Sequence, residues 1–240
     1  NPRSDWPSAD LESLASEALL RVIFESHRNN HSEVMLEAYN VLSSRRSYLG
    51  DIEKEKLSYV YQLLGVVWSA RDLSRSLSYL NLAVECDPKN SVAFYFLAHL
   101  SFYDKHDYAQ ALEYANQSFA SLAENAQEDM VRDVMTIQYF CYAMKGDYFK
   151  AREIIVNIDK DFALPWVVGN KAYLDFMCGY YESAERLATK ALKMNPDLKK
   201  AYDDDESTRY LIDMSMRLEG LPRHTSMHAA GVVICPKAAD

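Results

Sequence analysis

The amino-acid sequence predicts an all-α protein, a tandem array of about five antiparallel helix pairs with a C-terminal capping helix and an irregular tail. Turn-forming residues are scarce, since the 240 residues include only seven glycines and seven prolines. A β-sheet protein of this length would normally need more of both for its tight turns. In addition, one short pattern recurs along the chain at intervals close to the length of a helix pair.

The recurring pattern is a polar or glycine-containing turn followed by an aromatic residue or leucine that begins the second helix of a pair. It starts at Leu73, Tyr108, Tyr148 and Tyr181, so the intervals are 35, 40 and 33 residues. Small residues follow three positions later, at Ser76, Ala111, Ala151 and Ala184. Small side chains let two antiparallel helices approach closely, and large ones fill the grooves of the next pair. The alternative is a generic helical bundle in which this spacing is a coincidence.

These helices resemble tetratricopeptide (TPR) repeats. The residues at that family's Leu-Gly and aromatic positions in the first helix are Leu64-Gly65 with Trp68 and Leu97-Ala98 with Phe102. Pro88 and Pro196 match the proline that closes the family's repeat. The family period of about 34 residues is close to the observed intervals. The resemblance implies a TPR-like α-solenoid over residues 10–196, preceded by an N-terminal tail at 1–9.

Two parts of this array depart from the family pattern. The first pair is degenerate, with helices expected near 9–28 and 32–47 and a turn at Asn29-Asn30. The helix pair whose second helix begins at Tyr148 lacks a Leu-Gly signature in its first helix. The extra residues of this repeat fall in the polar segment Ser121–Asp129. After Pro196, an amphipathic pattern predicts a capping helix over 197–220, because the last apolar face of a repeat array needs a cover.

In TPR arrays the first helices line a concave groove, and the resemblance implies the same here. The groove-facing candidates by register are Tyr59, Val66, Phe96, Leu100, Tyr103, Phe140, Trp166 and Tyr173. Aromatic side chains at such positions suit an extended peptide or a helix of a partner protein. The alternative for each residue is packing against a neighbouring helix pair.

The last part of the chain resembles a different family. The segment LEGLPRHTSMHAAGVVICPK is similar to part of the bacterial DNA polymerase III alpha subunit, and the resemblance begins near Ala191. It does not include that family's catalytic aspartates, and Asp203-Asp204-Asp205 is expected to be a solvated helix surface. By resemblance, Arg223, His224 and His228 are candidates for phosphate contact. The alternative is an irregular tail over 221–240, in which the apolar run near 229–235 forms no regular sheet.

Composition and motifs limit the chemistry. A formal net charge of −9 predicts no nucleic-acid or anionic membrane surface, and no apolar run is long enough for a membrane span. The four cysteines are far apart, and the pairs His27/His31 and His224/His228 lack a third ligand nearby, so we expect no metal. No catalytic or cofactor-binding motif occurs. The start of the chain lacks the apolar run of a signal peptide, which predicts a cytoplasmic location.

The sequence therefore predicts a noncatalytic scaffold that binds a protein or peptide, with no cofactor. Two alternatives remain open. One is a fragment related to the DNA polymerase III alpha subunit that lacks its catalytic aspartates. The other is a chimeric or synthetic chain without a selected function, since the helix ending ALKMNPDL serves both resemblances.

Overall fold

The computed structural model describes residues 11–45, 52–122, 126–159 and 164–196, together with residues 200, 203–206 and 209. Over these residues the backbone forms α-helices and one short 3-10 turn at Leu11–Ser13, and no strand occurs. In chain order the helices are α1 Ser16–Arg28, α2 Ser32–Ser44, α3 Lys54–Ser69, α4 Leu73–Cys86, α5 Ser91–Tyr103, α6 Tyr108–Ala120, α7 Glu128–Met144, α8 Tyr148–Ile158, α9 Pro165–Met177 and α10 Tyr181–Met194. The chain divides into two compact units, Asn1–Ile158 and Asp159–Asp240.

The helices pack as consecutive antiparallel pairs, which confirms the predicted fold class. The first unit contains the pairs α1–α2, α3–α4, α5–α6 and α7–α8, and the second unit contains α9–α10. Within the first unit, the second helix α4 contacts α5, and α6 contacts α7. The first helices also contact one another in a row, α1 with α3, α3 with α5, and α5 with α7. This row brings one side of several first helices together.

A left-handed residue turns the chain between the two helices of most pairs. These residues are Asn30, His106, Gly146 and Gly179, with φ values of 58°, 54°, 79° and 86°. In three of these turns, a backbone N–H just after the left-handed residue donates to a carbonyl five residues earlier: His31 to Ser26 at 2.8 Å, Asp147 to Tyr142 at 2.9 Å and Tyr180 to Asp175 at 2.7 Å. Such bonds satisfy carbonyls at a helix end that have no partner within the helix.

In the α3–α4 turn, the N–H of Asp72 donates to the carbonyl of Trp68 at 2.8 Å, and the turn needs no left-handed residue. Asp72 then caps α4, because its side chain accepts a hydrogen bond from the N–H of Arg75 at 3.0 Å. Asp107 caps α6 in the same way through the N–H of Gln110 at 3.0 Å. These caps fix where the second helices begin.

Small residues bring the two helices of the α3–α4 pair into close contact. A Cβ atom added to Gly65 would lie 2.5 Å from Cγ of Leu80, which is fully buried. Ser76 Oγ donates a hydrogen bond to the carbonyl of Gly65 at 2.7 Å. Further along the pair, Ser58 Oγ donates to the carbonyl of Ala83 at 2.7 Å. The small residues of the repeat pattern therefore occupy the contact between helices, as predicted.

Three tyrosine rings connect the first two pairs. Tyr39 of α2 lies 5.8 Å from Tyr79 of α4 and 6.4 Å from Tyr61 of α3, measured between ring centroids. Burial raises the pKa of Tyr39 well above its usual value of 10, and the nearby Tyr79 and Tyr61 raise it further. The three rings thus pack together where the α1–α2 and α3–α4 pairs meet.

The second unit holds a buried ion pair between turns of α9. Lys171 Nζ bonds to Asp175, and both side chains are almost fully excluded from solvent. Ser183 of α10 donates its hydroxyl proton to the other oxygen of Asp175 at 2.6 Å. Because removing one member would leave a buried charge without its partner, the three residues act as one unit that joins α9 to α10.

The C-terminal predictions fall largely outside the described residues. Of the predicted capping helix over 197–220, the structure describes only residues 200, 203–206 and 209. The candidates Arg223, His224 and His228 and the apolar run at 229–235 lie outside the described residues. In the described part of the chain, no helix is both long enough and apolar enough to cross a bilayer.

We expect Gly65→Ala to lower the free energy of unfolding by about 1–3 kcal/mol, because the new methyl group would overlap Leu80. Gly169→Ala in α9 is the matched control. Its added Cβ would meet only Ala191 at an ordinary contact distance of 3.9 Å, so that variant should be neutral or about 1 kcal/mol more stable. Urea unfolding followed by circular dichroism measures both. Equal stability of Gly65→Ala and wild type would contradict the close-packing account.

Candidate functional site

The predicted groove residues all lie on first helices of pairs. Those on α3, α5 and α7 belong to the first unit, while Trp166 and Tyr173 lie on α9 in the second unit. Four of the eight have largely accessible side chains: Tyr59, Tyr103, Trp166 and Tyr173. Val66 and Phe140 are half-buried. The row of contacts along α1, α3, α5 and α7 makes the first unit the place where such residues from several helices come together.

Leu100 and Phe96 do not lie on the accessible side of α5. Leu100 is only 3% exposed and belongs to the apolar core between α4 and α5. Phe96 is half-buried and packs against the same core. The groove assignment of Leu100 is therefore corrected, and Phe96 is at most partly available. The physical reason is that α5, SVAFYFLAHLSFY, is apolar around its whole circumference, so no polar side marks its orientation.

Another side of α5 carries a continuous row of rings, of which Tyr95 and His99 are half-buried. Tyr95, His99 and Tyr103 are spaced four residues apart and therefore lie on one side of the helix. The ring centroids of Tyr95 and His99 are 6.2 Å apart, and those of His99 and Tyr103 are 4.5 Å apart. Tyr103 at the end of the row is 48% exposed.

The row continues onto α7 through Phe102. The centroid of Phe102 lies 4.8 Å from that of Tyr103 and 5.9 Å from that of Phe140 on α7. We call Tyr95, His99, Phe102, Tyr103 and Phe140 the aromatic face. The sequence predicts Tyr103 and Phe140 as groove residues but not Tyr95, His99 or Phe102. Tyr95, His99 and Tyr103 recur every four residues, and this spacing indicates one common side of the helix. Phe96 and Leu100 are also four residues apart, so spacing alone favours neither side.

Carboxylates lie near both ends of the row on α5. Burial raises the pKa of Tyr95, and the negative charge of Asp133 on α7 raises it further. Burial lowers the pKa of His99 below 6.5, and the nearby Asp104 opposes this shift. His99 is therefore uncharged at neutral pH, and the aromatic face carries no positive charge of its own.

A smaller cluster lies at the N-terminal end of the first unit. The ring of Tyr59 on α3 contacts that of Phe24 on α1, with centroids 5.3 Å apart. In the second unit, Trp166 and Tyr173 are seven residues apart on α9, and Asn170 between them donates its side-chain amide to the carbonyl of Trp166 at 2.8 Å. Trp166 and Tyr173 therefore occupy one side of α9.

In the described residues, no group of three or more His, Cys, Asp or Glu side chains is arranged to hold a metal ion. His27 lies in the last turn of α1, and His31 directly precedes α2 across the turn at Asn30. Cys141 is buried, which raises the pKa of its thiol to about 12 and keeps it protonated at neutral pH. What the geometry provides is an apolar, aromatic surface with acidic neighbours.

Solved structures with a similar fold are found among helical-repeat proteins. The MamA protein matches with a TM-score of 0.58 and 14% identity, over 80% of this chain and 95% of that chain. PilW, a type IV pilus biogenesis factor, matches with a TM-score of 0.54 and 11% identity, over 85% and 92%. PilF of Pseudomonas aeruginosa matches with a TM-score of 0.54 and 14% identity, over 87% and 94%. At these identities the similarity concerns the fold alone.

The chain is thus a helical-repeat protein with a TPR-like solenoid fold. Its sequence similarity points to a second family. Residues 128–240 match the bacterial DNA polymerase III alpha NTPase domain, which is 113 of the 240 residues. The DNA polymerase III alpha subunit of Chlamydia trachomatis is 39% identical over 86 residues, which is 36% of this chain, and that of Haemophilus influenzae is 51% identical over 47 residues, or 20%.

These matches confirm the predicted resemblance and extend it. The family match begins at residue 128, well before the predicted start at Ala191, and therefore includes α7 to α10. The chain spans only 6% and 4% of the lengths of the two polymerase subunits. The helices α7 to α10 thus belong both to the TPR-like repeat architecture and to the polymerase-like sequence.

We expect the ring of His99 to titrate below pH 6.5, because burial disfavours its charged form. Since the unfolded chain then binds the proton more readily, His99 should lower the stability of the fold as the pH falls below about 6.5. NMR titration of the imidazole resonances measures the midpoint, with the chain unfolded in urea as the reference. A midpoint for His99 in the folded protein at or above that of the unfolded chain would contradict the burial of this ring.

Proposed function

We propose that the protein is a noncatalytic interaction scaffold that binds a peptide or a helix of a partner protein on the aromatic face. The observation that carries this proposal is the unbroken row of ring contacts from Tyr95 to Phe140, which joins two helix pairs and remains open to solvent at Tyr103. Rigid aromatic side chains contribute large contact areas with little loss of conformational entropy, and they dominate many protein interfaces.

The fold supports this proposal because each helix pair fixes the position of its own rings. Phe102 is held between Tyr103, Tyr108 and Phe140, with centroids 4.8, 5.2 and 5.9 Å away. Such preorganisation reduces the entropy lost when a partner binds. We also propose contacts at Tyr59 and Val66 in the first unit. Trp166 and Tyr173 are proposed as a separate contact surface of the second unit. A cytoplasmic location is part of the same proposal.

The expected result of Tyr103→Ala is about a tenfold loss of affinity for a bound peptide, since the change removes an exposed ring without opening the core. Peptides are first selected from a displayed random library against the immobilised protein. Their dissociation constants are then measured by fluorescence anisotropy. Phe119→Ala is the matched control, because Phe119 is similarly exposed at 44% but lies on the second helix α6. Equal affinities of wild type and Tyr103→Ala for every selected peptide would rule out the aromatic face.

A second candidate function is favoured by the similarity over residues 128–240 to the DNA polymerase III alpha family. We infer from it, as the second candidate, that the chain is a fragment of a replication protein or a fusion that carries one. Among the described residues, no group of three or more His, Cys, Asp or Glu side chains is arranged to hold a metal ion.

Primer extension with the purified chain, magnesium and deoxynucleotides should show no nucleotide addition. Addition that disappears when the metal is chelated would instead support the polymerase candidate. Sequencing the source gene across residues 120–200 addresses the origin of the chain separately. A continuous reading frame through α7 to α10 would exclude an artificial junction there.

A further inference from the structure

The charges around the aromatic face identify a class of partner. Helix α5 contains no acidic or basic residue apart from His99, which is neutral at pH 7. Two carboxylates lie near the row. Asp104 directly follows Tyr103 at the end of α5, and Asp133 precedes Val134, a core residue of the cluster against which Tyr95 packs. Each end of the row thus has a carboxylate close by.

Within the described parts of the chain, Asp104 and Asp133 form no ion pair. The neighbouring Arg132 pairs instead with Asp129, and Lys105 Nζ donates to the uncharged Gln110 at 2.8 Å. Both carboxylates are exposed and so remain accessible to a positive charge from outside.

The rings themselves favour the same charge. The negative face of an aromatic ring attracts a guanidinium or ammonium group that lies over it. Elsewhere in this chain the arrangement already occurs, with Arg75 4.5 Å from the ring centroid of Trp68 and Lys150 5.3 Å from that of Tyr142. A cation over Tyr95 or Tyr103 would meet both a ring face and a nearby carboxylate.

We propose that the aromatic face binds a basic peptide segment, with an arginine or lysine side chain lying over Tyr95 or Tyr103 and paired with Asp133 or Asp104. This inference rests on the proposed function and adds the charge of the partner to it. The net charge of −9 on the whole chain acts in the same direction, because it attracts a basic segment from a distance. Apolar residues of the segment would contact Phe102 and Phe140.

The test uses the full chain and three labelled peptides derived from one library-selected peptide. They are identical except at two positions, which are both arginine, both glutamine or both glutamate. Fluorescence anisotropy at low ionic strength should show the arginine peptide binding about tenfold more tightly than the glutamine peptide, and the glutamate peptide more weakly than either. The advantage of the arginine peptide should shrink as the salt concentration rises.

Substitutions of the two aspartates test whether they cause the preference for the arginine peptide. Asp104→Asn combined with Asp133→Asn should remove most of the preference for the arginine peptide over the glutamine peptide. Glu153→Gln with Glu113→Gln is the control, because it changes the net charge equally at exposed positions on the second helices α8 and α6. A preference for arginine that persists in the aspartate double variant, or equal binding of all three peptides to wild type, would overturn the charge inference.

The two proposals fail in different ways. If the glutamine peptide binds wild type as tightly as the arginine peptide and still depends on Tyr103, the aromatic face is a peptide site without charge selectivity. If no library-selected peptide depends on Tyr103, both proposals are wrong.

Discussion

The close approach of the two helices within each pair is the constraint on which the rest of the structure depends. Where Gly65 lies against Leu80, no room remains for even one methyl group, and Ser76 adds a hydrogen bond across the same contact. In other pairs fully buried alanines such as Ala98, Ala111 and Ala115 occupy the contact. Because the backbones approach so closely, the large side chains of a first helix must point toward a neighbouring pair or toward solvent.

The aromatic face is a consequence of that arrangement. On α5, Leu97 and Leu100 fill the core, while Tyr95, His99 and Tyr103 lie on another side of the same helix. The contact between α5 and α7 then brings Phe102 beside Phe140. The polar caps at Asp72 and Asp107 fix the starts of the second helices and so help to fix the register of the pairs. Rings on different helices are thereby held at fixed separations.

The overlap of the two similarities has a structural meaning. Over 80–87% of its length, the fold of the chain resembles that of repeat proteins at identities of 11–14%, where only the packing pattern is shared. The similarity to DNA polymerase III alpha subunits reaches 51% identity, but over a much shorter stretch. Helices α7 to α10 satisfy both descriptions, and the buried Lys171–Asp175–Ser183 group lies in this overlap. A helix-pair packing pattern places few demands on sequence, so it is compatible with a segment that resembles another family.

The sequence by itself determined the repeat architecture. Small residues at fixed spacing, such as Gly65 and Ser76, indicate where two paired helices approach closely. Turn residues such as Asn30 and Gly146 mark where a first helix ends. The degenerate first pair was also predictable from the local sequence pattern. What only the tertiary structure decided was the accessible side of α5. Because this helix is apolar all round, Leu100 and Tyr95 were equally plausible as surface residues until the packing of α4 and α7 buried one and left the other at the edge of the aromatic face.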